Sequence, residues 1–217
     1  MAALALLPLA VITASNGIAL AAAVTGAPLA GTDPTATAAT ASGVELQLGK
    51  RNVLAVDKVK VKGKVTPGGV HSVEIDVNGK RVKDAKTDAG GGFRTEWRPQ
   101  SPGVYKVQAI VKHDGVAPVS SKTKRLNAYR AVEASYYGPG LYGNGVACGG
   151  VLTPSKLGVA NKTLPCGSKV TLHHGSKTVT VPVIDRGPYS GNRVYDLTTA
   201  TKNRLGYVGI GPIWATK

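Results

Sequence analysis

The sequence predicts an all-β protein that is preceded by an apolar N-terminal segment. Beyond residue 42 the chain is rich in Val, Thr, Gly and Pro, which favour strands and turns. Short runs of alternating apolar and polar residues recur there, and turn residues separate them. With 217 residues, the chain is long enough for one or two domains with a buried core.

The N-terminal segment, residues 1–24, is predicted to be a signal peptide or a membrane anchor. Residues 2–12 form an apolar run of the length found in signal peptides, and the alanines at 21–23 offer a cleavage site. Only the α-amino group supplies positive charge before this run, so an uncleaved anchor stays as the alternative. Residues 25–42 are rich in Thr, Ala and Pro, which predicts a flexible linker.

Residues 43–128 are predicted to form a β-sandwich of the immunoglobulin or fibronectin type. Alternation with a period of two marks several strands, and the Asn78-Gly79 pair between two of them indicates a hairpin. Trp97 and Tyr105 are expected to fill the core of this sandwich.

The chain carries 27 basic and 12 acidic residues, and an excess of this kind attracts polyanions. Lys58, Lys60, Lys62 and Lys64 alternate along one predicted strand and form a basic stripe. The stripe is either an ordinary solvated face or a surface for anionic wall polymers. Residues 43–128 offer few aromatic side chains on which bases could stack, so no nucleic-acid partner is expected.

Residues 131–217 carry the most specific motifs, and the first of these ends in a carboxylate. Val179, Val181 and Val183 share one face of a predicted strand, and Asp185 continues that face at the end of the strand. A carboxyl group in such a position is a candidate general acid. The alternative is an aspartate that caps the backbone of its own turn.

The number of carboxylates limits the chemistry of this region, which contains only Glu133, Asp185 and Asp196. A glycoside hydrolase with two catalytic carboxylates would have to use Asp185 and Asp196. A reaction that needs a single acid/base group fits this small set more readily.

Cys148 and Cys166 are the two cysteines of the chain and are predicted to form a disulfide. The alternative is a zinc site that also uses His173 and His174. These histidines are adjacent, so on a strand they would point to opposite faces, and the sequence predicts no metal or other cofactor.

Four motifs occur in order along the C-terminal region: ASYYG (134–138), LTPSKLGVANKTLPCG (152–167), VPVIDRGPY (181–189) and VYDLTTATKNRLG (194–206). Together they resemble the double-psi β-barrel domain of the rare lipoprotein A family and, more distantly, the first domain of expansins. The resemblance implies a six-stranded closed barrel over residues 131–217. It also implies an extracytoplasmic protein with a groove for peptidoglycan glycan strands.

In active members of this family, the resemblance implies lytic transglycosylase chemistry, in which a carboxyl group protonates the glycosidic oxygen and a 1,6-anhydro sugar forms. Asp185 matches the catalytic carboxyl of the family, and Asp196 matches the aspartate that expansins require. Asn161 stands where the family usually has a histidine, and asparagine cannot carry a proton at neutral pH. An expansin-like module that binds or loosens wall polysaccharide without cutting it is therefore the alternative. The residues expected to contact glycan are Tyr136, Tyr137, Arg186 and Tyr189.

Overall fold

The computed structural model describes residues 40–217. The predicted signal or anchor segment and all but the last residues of the predicted linker lie outside the described residues. Within the described part, no helix is long and apolar enough to cross a membrane. The residues up to 120 supply eight strands: β1 Gly43–Leu48, β2 Asn52–Leu54, β3 Val59–Thr66, β4 Ser72–Val77, β5 Lys80–Lys86, β6 Gly92–Trp97, β7 Gly103–His113 and β8 Val116–Ser120.

Two sheets enclose the core of this middle region. Strands β1, β3 and β6 form a three-stranded sheet, and β4, β5, β7 and β8 belong to a second sheet. Both sheets place alternate residues in one apolar cluster, including Val61 and Phe93 from the first and Ile75 and Val107 from the second. The observed strands confirm the all-β class, and the immunoglobulin or fibronectin type stays a prediction.

The Asn78-Gly79 hairpin forms as predicted, between β4 and β5. Both residues have positive φ, as a two-residue hairpin turn of this kind requires. The expectation for the two aromatic residues was wrong in position, because Trp97 and Tyr105 are only partly buried and pack at the edge of the core. Aliphatic side chains and the ring of Phe93 fill the space between the sheets, and the rings of Trp97 and Tyr105 pack against each other, with centroids 5.3 Å apart.

Strand β9, Lys124–Tyr137, leads from the middle region into the C-terminal region without a break. Its first residues pair with β7, and its last residues pair with the C-terminal strands described next. The predicted division between residues 128 and 131 therefore falls inside one strand. Residues 40–217 lie in one compact unit.

The C-terminal region adds five strands and one helix: β10 Val159–Ala160, β11 Lys169–His174, β12 Lys177–Asp185, β13 Tyr195–Thr198, α1 Thr199–Leu205 and β14 Gly211–Ala215. The pairing runs from β9 through β13, β10, β12, β11 and β14 and returns to β9. This ring is the six-stranded closed barrel that the sequence predicts. Apolar side chains such as Val181, Leu197 and Ile213 fill its interior.

Helix α1 begins directly after β13. The Thr198 side chain is the N-cap and accepts a hydrogen bond from the backbone N–H of Thr201. Gly206 ends the helix with φ 66°, a left-handed conformation that glycine adopts without strain. The short helix fixes the end of β13, and thus the strand that carries Asp196.

Candidate active site

Four neighbouring strands bring the predicted catalytic aspartates to the same level of the barrel wall. Ala160 of β10 pairs with Asp185 of β12 on one side and with Asp196 of β13 on the other. Asp196 in turn pairs with Ser135 of β9. The backbones of the two aspartates are therefore two strand spacings apart, about 9–10 Å. Residues as many as 61 positions apart thus form one row, although no local sequence pattern links them.

A β-bulge sets the position of Asp185 in this row. Val159 pairs with Val183, but Ala160 pairs with Asp185, so Ile184 is the extra residue on β12. Strict alternation would have placed Asp185 on the apolar face of Val181 and Val183. The bulge instead aligns Asp185 with Asp196, and bulges commonly re-aim side chains in this way next to functional sites.

The Asp185 carboxylate is held by two backbone N–H groups. Its Oδ1 accepts hydrogen bonds from Ala147 at 2.9 Å and from Arg186 at 2.8 Å. The Arg186 contact is the turn cap that the sequence offered as an alternative to catalysis. Since both bonds go to one oxygen, the cap fixes the carboxylate without occupying Oδ2, which accepts no hydrogen bond within residues 40–217.

A disulfide joins the two loops beside Asp185. Cys148 and Cys166 are bonded, as predicted, with their Cα atoms 5.6 Å apart. Cys148 directly follows the Ala147 donor, and Cys166 ends the Leu-Pro-Cys turn. Because both sulfurs are consumed, the alternative of a zinc site with His173 and His174 is wrong.

The Arg186 side chain is turned towards the protein rather than towards solvent. Its guanidinium donates to the carbonyl oxygens of Asn161 at 3.1 Å and Leu164 at 2.9 Å, and to the Cys166 sulfur at 3.3 Å. Arg186 therefore holds the Leu-Pro-Cys turn in place. Its predicted contact with glycan would require at least part of this network to open.

Tyr137 places a hydroxyl group beside both aspartates. The hydroxyl is buried and has no hydrogen-bond partner within the described residues. Burial is the main cause that raises the pKa of Tyr137 well above its usual value. The negative charges of Asp185 and, to a smaller extent, Asp196 act in the same direction. Tyr137 thus remains a protonated donor next to the carboxylate row.

Asp196 belongs to a hydrogen-bonded group that sequence reasoning only partly identified. Its Oδ1 accepts a hydrogen bond of 2.6 Å from Ser135, and Arg193 donates to the same Ser135 hydroxyl at 3.0 Å. Ser135 and Arg193 were missed, although Ser135 stands two residues before Tyr137 in the first motif and would share its strand face.

A cavity of about 540 Å³ opens next to this group. It is lined by Ser135, Tyr136, Tyr137 and Arg193, with the loop at Gly138–Leu141 and the residues Gly209 and Ile210 around it. Tyr136 is 39% exposed, and the Lys202 ammonium lies 4.4 Å from its ring centre. Tyr189 is 80% exposed, beyond the end of β12. Of the predicted glycan contacts, Tyr136 and Tyr189 offer the most open ring surface.

Asn161 lies in the turn rather than in the row of aspartates. Its amide donates to the Val194 carbonyl at 3.0 Å, and its Oδ1 accepts from the N–H groups of Thr163 and Leu164 at 3.1 and 2.8 Å. The link to Asp185 is through the main chain, from Asn161 N–H to the Asp185 carbonyl at 3.1 Å. The side chain therefore shapes the turn, and its catalytic role stays a prediction.

Comparison with known proteins identifies relatives of the barrel. Residues 129–214 match a double-psi β-barrel family described as lytic transglycolase. The segment is similar to proteins named RlpA, an endolytic peptidoglycan transglycosylase, from Pseudomonas aeruginosa (41% identity over 87 residues) and Campylobacter jejuni (38% over 80 residues). It is also similar to a probable RlpA from Synechocystis (34% over 100 residues).

These matches confirm the resemblance of the C-terminal segment to the rare lipoprotein A-like family. They cover 39%, 36% and 41% of this chain, and 26%, 29% and 31% of the three relatives in the same order. The chain therefore matches less than a third of the length of the relatives. Among solved structures, the Streptomyces papain inhibitor matches 40% of this chain and 91% of its own, at 24% identity and a TM-score of 0.34.

Proposed function

We propose that the barrel acts on peptidoglycan glycan strands outside the cytoplasm, as a lytic transglycosylase-like enzyme with Asp185 as its general acid and base. The observation that carries this proposal is the row in which Asp185 and Asp196 stand level across β10, next to Ser135, which lines a cavity of about 540 Å³. The similarity of residues 129–214 to peptidoglycan transglycosylases supports the choice of substrate.

In the proposed reaction, the protonated Asp185 carboxyl gives its proton to the glycosidic oxygen as the bond from that oxygen to C1 breaks. The 6-hydroxyl of the same sugar then attacks C1, and its proton passes to the Asp185 carboxylate. The products are a 1,6-anhydro end and a free hydroxyl on the leaving sugar. No water is consumed, so one carboxyl group is sufficient as both acid and base.

Asp196 would stabilise positive charge that develops at C1 in the transition state. Its carboxylate is kept in place by Ser135, which also receives a hydrogen bond from Arg193. A fixed negative group costs little reorganisation when charge develops nearby, which is the general basis of electrostatic catalysis. The protonated Tyr137 lies near both aspartates and is suited to donate to the Asp185 carboxylate after proton transfer.

The disulfide supports the proposed location outside the cytoplasm, because such bonds form and persist in oxidising compartments. Export through the segment at 1–24 is part of the same proposal.

The second candidate is a module that holds glycan without cutting it, as in expansins. The position of Asn161 favours it, because the residue in place of the family histidine is neutral and its amide is committed to the turn. In this case Asp185 and Asp196 would serve as hydrogen-bond acceptors for sugar hydroxyls.

Incubation of the purified protein with peptide-free glycan strands, followed by mass spectrometry, separates the two candidates. The enzyme predicts 1,6-anhydro products from the wild type and none from Asp185→Asn. Glu133→Gln is the matched control, since it removes the third carboxylate of the barrel without touching the row. Sedimentation of the protein with glycan, without any anhydro product, would refute the enzyme and support the binding module.

Asn161→His tests the effect of the departure from the family pattern. A gain of anhydro product would show that the missing titratable group limits activity. A loss of thermal stability without such a gain would show that the turn needs the asparagine amide.

A further inference from the structure

A continuous groove follows the exposed side of β3 in the middle region. Three cavities of about 570, 500 and 490 Å³ adjoin one another there. The first two share Lys62 and Arg94, and the last two share Gly49 and Lys60. The third cavity reaches Trp214 on β14 of the barrel. These three cavities together are called the basic groove below.

Positive charge is concentrated along the basic groove. Its basic side chains include Lys50, Lys58, Lys60, Lys62, Lys64 and Arg94. Within residues 40–217, only Lys58 of these six forms an ion pair, at 3.4 Å from Glu96.

Among the described residues, four acidic side chains also line the groove, and two of them, Asp57 and Asp88, are committed to backbone N–H groups. Asp57 accepts a hydrogen bond from the Leu54 N–H, and Asp88 accepts from Gly90 and Gly92. Glu45 stands opposite Lys64 in the register of β1 and β3. Glu96 stands opposite Lys60 and also pairs with Lys58, so the positive charge that faces no opposed acidic residue is that of Lys62 and Arg94.

The register of β3 and β6 adds an independent indication of a ligand. Lys62 stands directly opposite Arg94. Like charges in directly opposed positions destabilise a sheet. A bound anion would remove this repulsion, so the pair is suited to a negatively charged ligand.

Trp214 adds an aromatic surface at the end of the basic groove. Its ring packs near His173 and Tyr129, with centroid distances of 5.4 and 6.0 Å, and the side chain remains partly exposed. The groove wall is built across both regions of the chain, which are linked by continuous β9 and by a hydrogen bond of 3.3 Å from Arg125 to Thr171. An indole face of this kind packs well against the C–H face of a sugar ring.

We propose that the basic groove binds an acidic polysaccharide, with Trp214 against a sugar ring and Lys60, Lys62 and Arg94 against its negative groups. The site is separate from the Asp185 row and does not depend on the function proposed for that row. The site includes the basic stripe of β3 together with Arg94 from β6 and Trp214 from β14. The alternation of residues in β3 alone could not have predicted these two contributions. The anion is a carboxylate or a phosphate carried by the sugar chain.

Fluorescence titration of the full chain tests this proposal. The protein has two tryptophans, so Trp97→Phe leaves Trp214 as the only one and avoids changing the proposed site. Polygalacturonate offers carboxylates on a pyranose chain, and phosphomannan offers phosphates. At least one of them should change Trp214 emission, with affinity falling about tenfold or more between 50 and 200 mM salt. The polysaccharide that binds more tightly shows whether the groove prefers carboxylates or phosphates.

Two further comparisons make the test decisive. Lys62→Gln with Arg94→Gln should weaken binding at least about tenfold, by loss of two phosphate- or carboxylate-binding charges. Lys80→Gln with Lys83→Gln removes two exposed charges from β5 and should change it less than about twofold. Equal losses in the two double variants, equal binding of neutral dextran, or equal binding of polyphosphate, which lacks sugar rings, would overturn the proposal. So would an unchanged Trp214 emission with both acidic polysaccharides.

Discussion

Removing the disulfide should weaken both the stability of the protein and the geometry around Asp185. Cys148 and Cys166 are separated by 18 residues along the sequence. Closing a loop of this size reduces the entropy of the unfolded chain by an amount equivalent to about 3 kcal/mol at 25 °C. Replacing both cysteines by serine is therefore expected to lower the free energy of unfolding by about 3 kcal/mol.

The size of the unit that unfolds converts this value into a melting temperature. Residues 40–217 lie in one compact unit, and for domains of that size 1 kcal/mol shifts Tm by about 2–4 °C. The double variant should therefore melt about 6–12 °C below the wild type. A larger fall, of about 12–24 °C, would indicate that the barrel unfolds independently of the middle region.

Calorimetry and the anhydro-product assay test the two parts of this prediction separately. Reduced wild type serves as the control, because it should behave as the double variant does. A Tm within about 2 °C of the wild type would refute the loop-entropy reasoning. A lowered Tm with full activity at 25 °C would instead refute the role of the bridge in holding the Ala147 N–H on Asp185.

Three further predictions concern packing, alkaline pH and helix capping. A Cβ atom on Gly158 would lie 2.6 Å from Ile184 Cδ1, so Gly158→Ala should cost about 1–3 kcal/mol in urea unfolding, whereas Gly211→Ala, with open space around it, should cost little. Burial raises the pKa of Tyr195 to about 12, so its contribution to stability is complete below pH 10 and is lost as the pH rises through 12. The loss approaches about 3 kcal/mol, and Tyr195→Phe should flatten this part of the pH–stability curve. Thr198→Ala should cost about 1–2 kcal/mol in thermal unfolding and Thr198→Ser much less, because serine can keep the cap on α1.

The sequence was sufficient for those features that depend on local pattern. Alternation predicted the strands, and the Asn78-Gly79 pair predicted the hairpin turn between two of them. The motif order also led to the six-stranded barrel, which the ring of strand pairs confirms. Each of these features is determined by neighbouring residues or by a resemblance that extends over the whole barrel.

The arrangement of the candidate site could not be predicted in the same way. Alternation assigned Asp185 to the face of Val181 and Val183, but the pairing of two strands introduces the bulge at Ile184. A bulge depends on the partner strand, and β10 consists of only two residues, which carry no periodic pattern of their own. Ser135 and Arg193 were missed for a similar reason, because Ser135 contacts Asp196 and Arg193 only when β9 and β13 lie side by side.

Asp185 was predicted to be either a turn cap or a catalytic acid. The hydrogen bonds of its carboxylate make these two roles compatible. One carboxylate oxygen accepts the backbone N–H groups of Ala147 and Arg186, which fixes the plane of the group. A proton carried by the other oxygen would then have a defined direction, as efficient proton transfer requires. Capping therefore positions the Asp185 carboxylate. Its ability to act as an acid then depends on the groups next to Oδ2.

The Tyr137 hydroxyl lies near Asp185 and could act on its carboxylate. Its buried hydroxyl lacks a partner in the described residues, and an unpaired buried donor of this kind costs about 1–3 kcal/mol. If it donates to Asp185 only after the proton has left for the sugar, its interaction is stronger in the transition state than in the resting enzyme, and it lowers the barrier. In a module that only binds glycan, the same hydroxyl would instead donate to a sugar oxygen.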